Sequence, residues 1–335
     1  MALDVTVKID LMRPIGKTGF GMPLILSLTT SETPKEYKVY RNIAEVAADY
    51  EATTDVYKAA NLMFAQTNHP EKIAICETAG TVVEWLGESK NISKEWRQLV
   101  VVGEVSADEI VSISAAIEPI NGKMFFAGVD TDETGVSIPE GVERTVVFYV
   151  DATEDVPYPV AALVGEAAGR KAGSFTYKNL ILKGIEPQEL SDAEIEAIHE
   201  LGGITFVTKA GDNVTTEGKV AGGEYVDIVD SVDFVTQQIE YNVQKTLNTA
   251  DKVPYDNNGI ALLEAAVLSA LQDAYFNGII ASAEDGKTGD YKVSFALREQ
   301  TTETDRASRH YPYGQFSFVL AGAVHTCEVT GSITF

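Results

Sequence analysis

Val160-Ala161-Ala162-Leu163-Val164-Gly165-Glu166-Ala167-Ala168-Gly169 opens the stretch whose reading decides the fold. Small residues dominate it, and its two glycines suit close packing. Their spacing is wrong for a dinucleotide fingerprint. An extended polar passage follows, Ser174-Phe175-Thr176-Tyr177-Lys178-Asn179-Leu180, leading to Lys183-Gly184-Ile185. Ser191 and Glu194 then form an S-x-x-E capping box, with Leu190 and Ile195 placed as a hydrophobic staple, so a helix starts there. It stops at Leu201-Gly202-Gly203, where glycine supplies the left-handed cap. Ile204 to Thr208 reads as a strand. After a glycine-rich turn, Tyr225 to Asp230 reads as a strand feeding a helix from Ser231 to Leu247, with Val232, Val235, Ile239, Val243 and Leu247 on one stripe.

Upstream, Leu3 to Leu11 alternates, with Val5, Val7 and Ile9 on one face, as a half-buried strand does. A glycine-rich link joins it to a second strand over Pro23 to Leu28. The spacing predicts a short strand at Tyr37–Tyr40 and helices over about Ile43–Tyr50 and from about Thr54 to Thr67. Strands follow at Glu71–Cys76 and Leu99–Val102. Ser106 and Glu109 make a second capping box, flanked by Val105 and Ile110. Strands at Lys123–Val129 and Arg144–Val150 complete an α/β layer with partly parallel strands. The loop from Asp130 to Glu143 is acidic and turn-rich, as an exposed segment is. The helix from Ile260 to Phe276 is apolar nearly all round, so it is expected to be buried in its own core or against another chain. Lys292–Leu297 and Phe316–Ala323 alternate as strands, joined by a polar loop holding Arg306 and Arg309. Val324 to Phe335 reads as a last strand, interrupted at Gly331, with Val329, Ile333 and Phe335 as its apolar positions.

The net charge of −24 over 335 residues argues against direct nucleic-acid binding, which needs a basic surface. It also makes self-association costly unless acidic patches meet basic ones. Met1 to Val5 shows no basic and apolar leader, so no secretory signal is expected, and no apolar run suggests direct membrane insertion. Cys76 and Cys327 sit in apolar strand-like contexts and read as buried free thiols. His69, His199, His310 and His325 lack metal-ligand spacing, so no metal is expected. Gly16-Lys17-Thr18 and Gly286-Lys287-Thr288 end like phosphate-binding loops. The glycine such a loop needs is Leu11 in one case and Ala281 in the other, so no nucleotide or other cofactor is expected. No catalytic signature was found.

The order of these pieces resembles the contractile tail sheath proteins of contractile-tailed phages and phage-tail-like particles. The matching pieces are Gly165–Gly173, Ser174–Gly184, Ser191–Val207 and Tyr225–Leu247. Asp49-Tyr50, Tyr57-Lys58-Ala59-Ala60 and Phe64-Ala65-Gln66 match a further run of the family, before a proline and a strand. The resemblance covers the C-terminal half well, the first thirty residues fairly and the middle loosely.

It implies a mixed α/β fold of several domains: an N-terminal arm and first strands over 1–30, an outer α/β domain over 31–155, a sheath core over 156–323 and a C-terminal arm over 324–335. It implies a non-enzymatic subunit of a helical homopolymer of stacked rings around an inner tail tube protein. Baseplate and tail terminator proteins would be further partners, in a virion or phage-tail-like particle assembled in the producing cell's cytoplasm. Arms carrying Val5, Val7 and Ile9, and Val329, Ile333 and Phe335, would add strands to neighbours' sheets. Residue patterns alone favour both as strands of their own domain. One of the helices 231–247 and 260–276 would face the tube, with Lys245 as a candidate contact. The rival from another class is an α/β enzyme with an unrecognised active site. A tail tube subunit would be smaller and mostly β, and a capsid protein would show a long spine helix in its N-terminal half.

Overall fold

The computed structural model describes residues 21–132, 136–139 and 141–327. Val5, Val7, Ile9, Val329, Ile333 and Phe335 lie outside them. In chain order come β1 (Leu24–Leu28), β2 (Lys38–Tyr40), α1 (Ile43–Ala47), α2 (Asp55–Phe64) and β3 (Ile73–Thr78). Next are α3 (Val82–Gly87), α4 (Ser89–Ile92), β4 (Gln98–Val102), α5 (Ala107–Ile117), β5 (Met124–Val129) and β6 (Thr145–Tyr149). Then follow α6 (Val160–Ala168), α7 (Asp192–Glu200), β7 (Gly203–Lys209) and β8 (Asp212–Thr215). The last elements are α8 (Val226–Thr249), α9 (Asn257–Phe276), β9 (Tyr291–Phe295), α10 (Glu303–Ser308) and β10 (Gly314–Phe318).

The first eight strands form one sheet in the order β2-β3-β1-β4-β5-β6-β7-β8. All inner pairings from β3 to β7 are parallel, and the two edge strands β2 and β8 run antiparallel to their neighbours. A parallel sheet needs a helical layer on both faces, so its strands read as continuous apolar runs. Side chains alternate between the two layers. Ile25, Ile75, Val100, Phe126 and Phe148 point to the side covered by α1, α2, α6 and the start of α8. Leu24, Leu26, Leu99, Val101, Phe125 and Tyr149 point to the side covered by α3, α5 and α7. Each fully buried large side chain contributes about 1.5–3 kcal/mol, so this double core dominates stability.

The capping boxes at Ser106–Glu109 and Ser191–Glu194 both form, and a third at Thr81–Glu84 starts α3. α6 is buried throughout. A β-carbon on Gly165 would stand 2.6 Å from Cα of Met63, and one on Gly169 would stand 1.8 Å from the carbonyl oxygen of Asn68. The small residues therefore let α6 lie directly on the backbone of α2 and the turn after it. Glu166, 1% exposed, is held there by Asn68 and Arg170.

A second body follows the sheet. α8 and α9 pack side by side, and the β9–β10 hairpin lies against α9. Their shared core holds Val235, Ile239, Val267, Leu271 and Ile279.

Three expectations are corrected. Tyr225 to Asp230 is not a strand: α8 begins at Val226, because Val226 and Val229 are one turn apart and both enter the sheet's core. For the helix at 260–276, the chain's own core covers one face only. Ile260, Val267 and Leu271 are covered, while Leu262, Leu268 and Phe276 are 48%, 44% and 72% exposed. Residues 324–327 form no strand; the hairpin strand stops at Phe318, and Cys327 is exposed rather than buried.

Candidate assembly surfaces

The junction between the two bodies is ionic. Arg97, Lys123 and Arg144 each stand immediately before a parallel strand, at the N-terminal ends of β4, β5 and β6. Asp230 and Asp233, one turn apart on α8, face the two arginines. Arg97 Nη1 donates to Asp233 Oδ2 at 2.7 Å and to the Gly122 carbonyl at 3.1 Å, while Nε and Nη2 donate to Asp230 Oδ1. Arg144 grips Asp233 with both Nη atoms, at 2.7 and 2.9 Å. Tyr177, from the extended polar passage, donates to Asp230 Oδ2 at 3.0 Å. Lys123 instead turns back to the Lys94 carbonyl at 2.8 Å.

Burial opposes ionisation of Asp233, but Arg97 and Arg144 outweigh it and hold the carboxyl below its ordinary range. For Tyr177, burial comes first and the Asp230 charge second, and both push the phenol well up. Such a network adds little net stability over an apolar replacement, but losing one member strands a buried charge. Its paired geometry fixes where α8 leaves the sheet.

Beyond that junction, α8 and α9 expose their far ends. Lys245 is exposed in the second half of α8, with its ammonium 5.5 Å from the Tyr241 ring centroid. Leu262, Leu268 and Phe276 are exposed on the outer side of α9, among the exposed polar residues Ser269, Gln272 and Asp273. α9 is also long and apolar enough to cross a membrane by length and composition, though its other face is packed in the core. β9 and β10 make a two-stranded sheet, and among the described residues neither outer edge is paired. A lone hairpin is marginal in water, and an open edge invites another strand. By contrast, the large sheet ends in strands of only three and four residues.

A cavity of about 460 Å³ lies past the C-terminal ends of β1, β3 and β4, the place where open α/β sheets hold ligands. Two of its carboxylates, Asp49 and Glu77, are engaged in structure. Asp49 accepts from Lys38 and Tyr40, and these bonds hold its carboxyl low. Glu77 accepts from the Lys35 backbone at 2.9 Å. Among the described residues, no cluster of histidine, cysteine and acidic side chains could hold a metal. His199 lies 2.8 Å from the Thr216 hydroxyl.

Sequence reading missed the ionic junction. Its pairs are separated by up to 136 residues, so only the basic residue before each of three successive strands hinted at it.

Residues 226–333 match the family model for the E217 tail sheath protein gp31-like C-terminal domain. No curated protein matches the chain in sequence. Among solved structures, the helical sheath of the anti-feeding prophage in its contracted state matches at 12% identity and a TM-score of 0.71, over 98% of this chain and 99% of that one. The PVC sheath complex of an extracellular contractile injection system, also contracted, matches at 11% identity and a TM-score of 0.69, over 99% of this chain and 98% of that one. A chain from the anti-feeding prophage baseplate matches at 11% identity and a TM-score of 0.71, over 99% of this chain and 100% of that one. Residues 226–333 are thus similar to a tail sheath C-terminal domain, and the chain has, over nearly its whole length, the fold of the contractile sheath proteins.

Proposed function

We propose that this chain is the structural subunit of a contractile tail sheath. Copies polymerise as stacked rings around an inner tube, and contraction of the polymer drives that tube through a cell envelope. The observation that carries this reading is the end-to-end match to two contracted sheaths, together with the sheath C-terminal domain at 226–333. Self-association and a baseplate contact follow from the same likeness; the tube and a terminator protein are proposed as further partners. The subunit works in a phage tail or phage-tail-like particle and is assembled in the producing cell's cytoplasm.

The open hairpin supports a particular mode of linkage. Arms carrying Val5, Val7 and Ile9 from one copy, and Val329, Ile333 and Phe335 from another, add strands to the edges of the β9–β10 sheet. Backbone pairing keeps its geometry while side-chain contacts are exchanged. Five hydrogen bonds per added strand would contribute about 3–7 kcal/mol before ordering costs. Lys245 and the exposed side of α9 are the surfaces proposed for the tube. Negative-stain electron microscopy of the purified protein tests the reading. Rings or hollow tubes are expected; a monodisperse small oligomer under all assembly conditions would overturn it.

A further inference from the structure

We propose that His325 is a single-residue anchor that pins the C-terminal segment to the sheet body, and that its withdrawal lends the segment extra length. After β10 the chain is tied to the α9 side by the Ala321 amide, which donates to the Ile279 carbonyl at 2.9 Å. From Gly322 to Cys327 no backbone hydrogen bond forms among the described residues. Every residue from 321 to 327 is exposed except His325, and Val324 is 88% exposed.

His325 alone turns inward, with its side chain 11% exposed. Its Nε2 lies 3.0 Å from the Thr176 hydroxyl, and its ring meets the Tyr225 ring edge-on at 4.8 Å between centroids. Nδ1 is 3.3 Å from Glu217, which Lys178 approaches at 3.9 Å from the other side. The socket therefore draws on the extended polar passage, the turn after β8 and the residue that caps α8. These belong to the sheet, whereas β9, β10 and Ala321 belong to the other body. The segment from 322 to 325 is a strap between the two, fastened at one imidazole.

If the imidazole leaves its socket, the last fastening among the described residues becomes Ala321, four residues earlier. Four residues span at most about 14 Å when extended. Resting on the sheath reading, that length is a reserve: a strand donated to a neighbouring copy from beyond Cys327 stays paired while the two copies move apart.

The subunit offers its own reporter. Cys327 is exposed and Cys76 is buried, so a nitroxide goes on Cys327 two residues past the anchor. A second label on Ala197→Cys, exposed on α7, gives a distance by pulsed electron resonance. The unassembled doubly labelled protein should show one narrow distribution. His325→Ala and Thr176→Val should each at least double its width at unchanged melting temperature. His325→Gln, which keeps a hydrogen-bonding group toward Thr176, should restore the narrow form. A distribution as broad before substitution as after, or one that stays narrow in both His325→Ala and Thr176→Val, would overturn the anchor. Failure of the unmodified subunit to form tubes would instead overturn the sheath reading and leave these distances standing.

Discussion

Arg97 Nη1 and Asp233 Oδ2 lie 2.7 Å apart, with side chains only 2% and 8% exposed, and they join the N-terminal end of a central strand to the first third of α8. Removing one partner of a buried pair strands the other, at about 3–5 kcal/mol. Asp233→Asn should therefore lower the melting temperature of the subunit strongly, and Arg144→Ala should do the same to a smaller extent. The pH dependence follows from the lowered carboxyl. A carboxyl with a folded pKa below its unfolded value contributes stability that is present above the ordinary aspartate range, near 4, and is lost as the pH falls through the folded value. Thermal melts between pH 7 and pH 3 should show a steeper acid loss in the unmodified protein than in Asp233→Asn. Parallel curves would remove Asp233 as a source of acid sensitivity.

Gly165→Ala places a methyl group 2.6 Å from the Met63 Cα, in a helix contact with no room to spread. Overpacking of this kind costs about 1–3 kcal/mol. Denaturant unfolding should give a lower midpoint with an unchanged slope. An unshifted midpoint would mean that α6 and α2 separate at little cost.

Deleting Met1 to Leu11 should leave a folded, soluble subunit that makes no tubes. Truncation after Thr330 should likewise preserve circular dichroism and melting while abolishing polymerisation. Normal tubes from either deletion would remove that arm from the proposed linkage, and a large drop in subunit melting temperature would mark the segment as a strand of its own domain.

Lys245→Glu should weaken extended particles without altering the fold, since the side chain is exposed on the far half of α8. Sedimentation of particles assembled with the tube reads this out. Unchanged extended particles would exclude Lys245 as a tube contact, though not the helices. Because each copy carries a charge of −24, assembly should also respond to salt, with screening reaching about 8 Å at physiological ionic strength. Sedimentation across a salt series that shows no change would count against that.

The inner strands of the large sheet could be read from local sequence because both of their faces are buried, and Leu99-Val100-Val101-Val102 admits little else, whereas the half-exposed edge strand β8 was not read. Serine or threonine with glutamate three residues on marked α5 and α7 correctly, and the same pattern at Thr81 and Glu84 was there to be read. The β-branched run Val226-Asp227-Ile228-Val229 misled, because propensity for a strand is weaker than the gain from burying Val226 and Val229 on one helical face. α9 is the converse case: its composition is apolar over most of its length, but composition does not say which residues the rest of the chain covers. The His325 socket was not legible and the ionic junction was only hinted at, since Arg97 meets Asp233 across 136 residues and His325 meets Thr176 across 149.

α8 belongs to two cores at once. Its first turns lie in the core of the sheet and its later turns in the core with α9, without a break in twenty-four residues. A continuous helix of that length is a beam of about 36 Å. A load applied at the β9–β10 hairpin therefore cannot be absorbed by a bending linker. It arrives at the sheet as torque about the arginine clasp, and the large sheet turns with it as one piece.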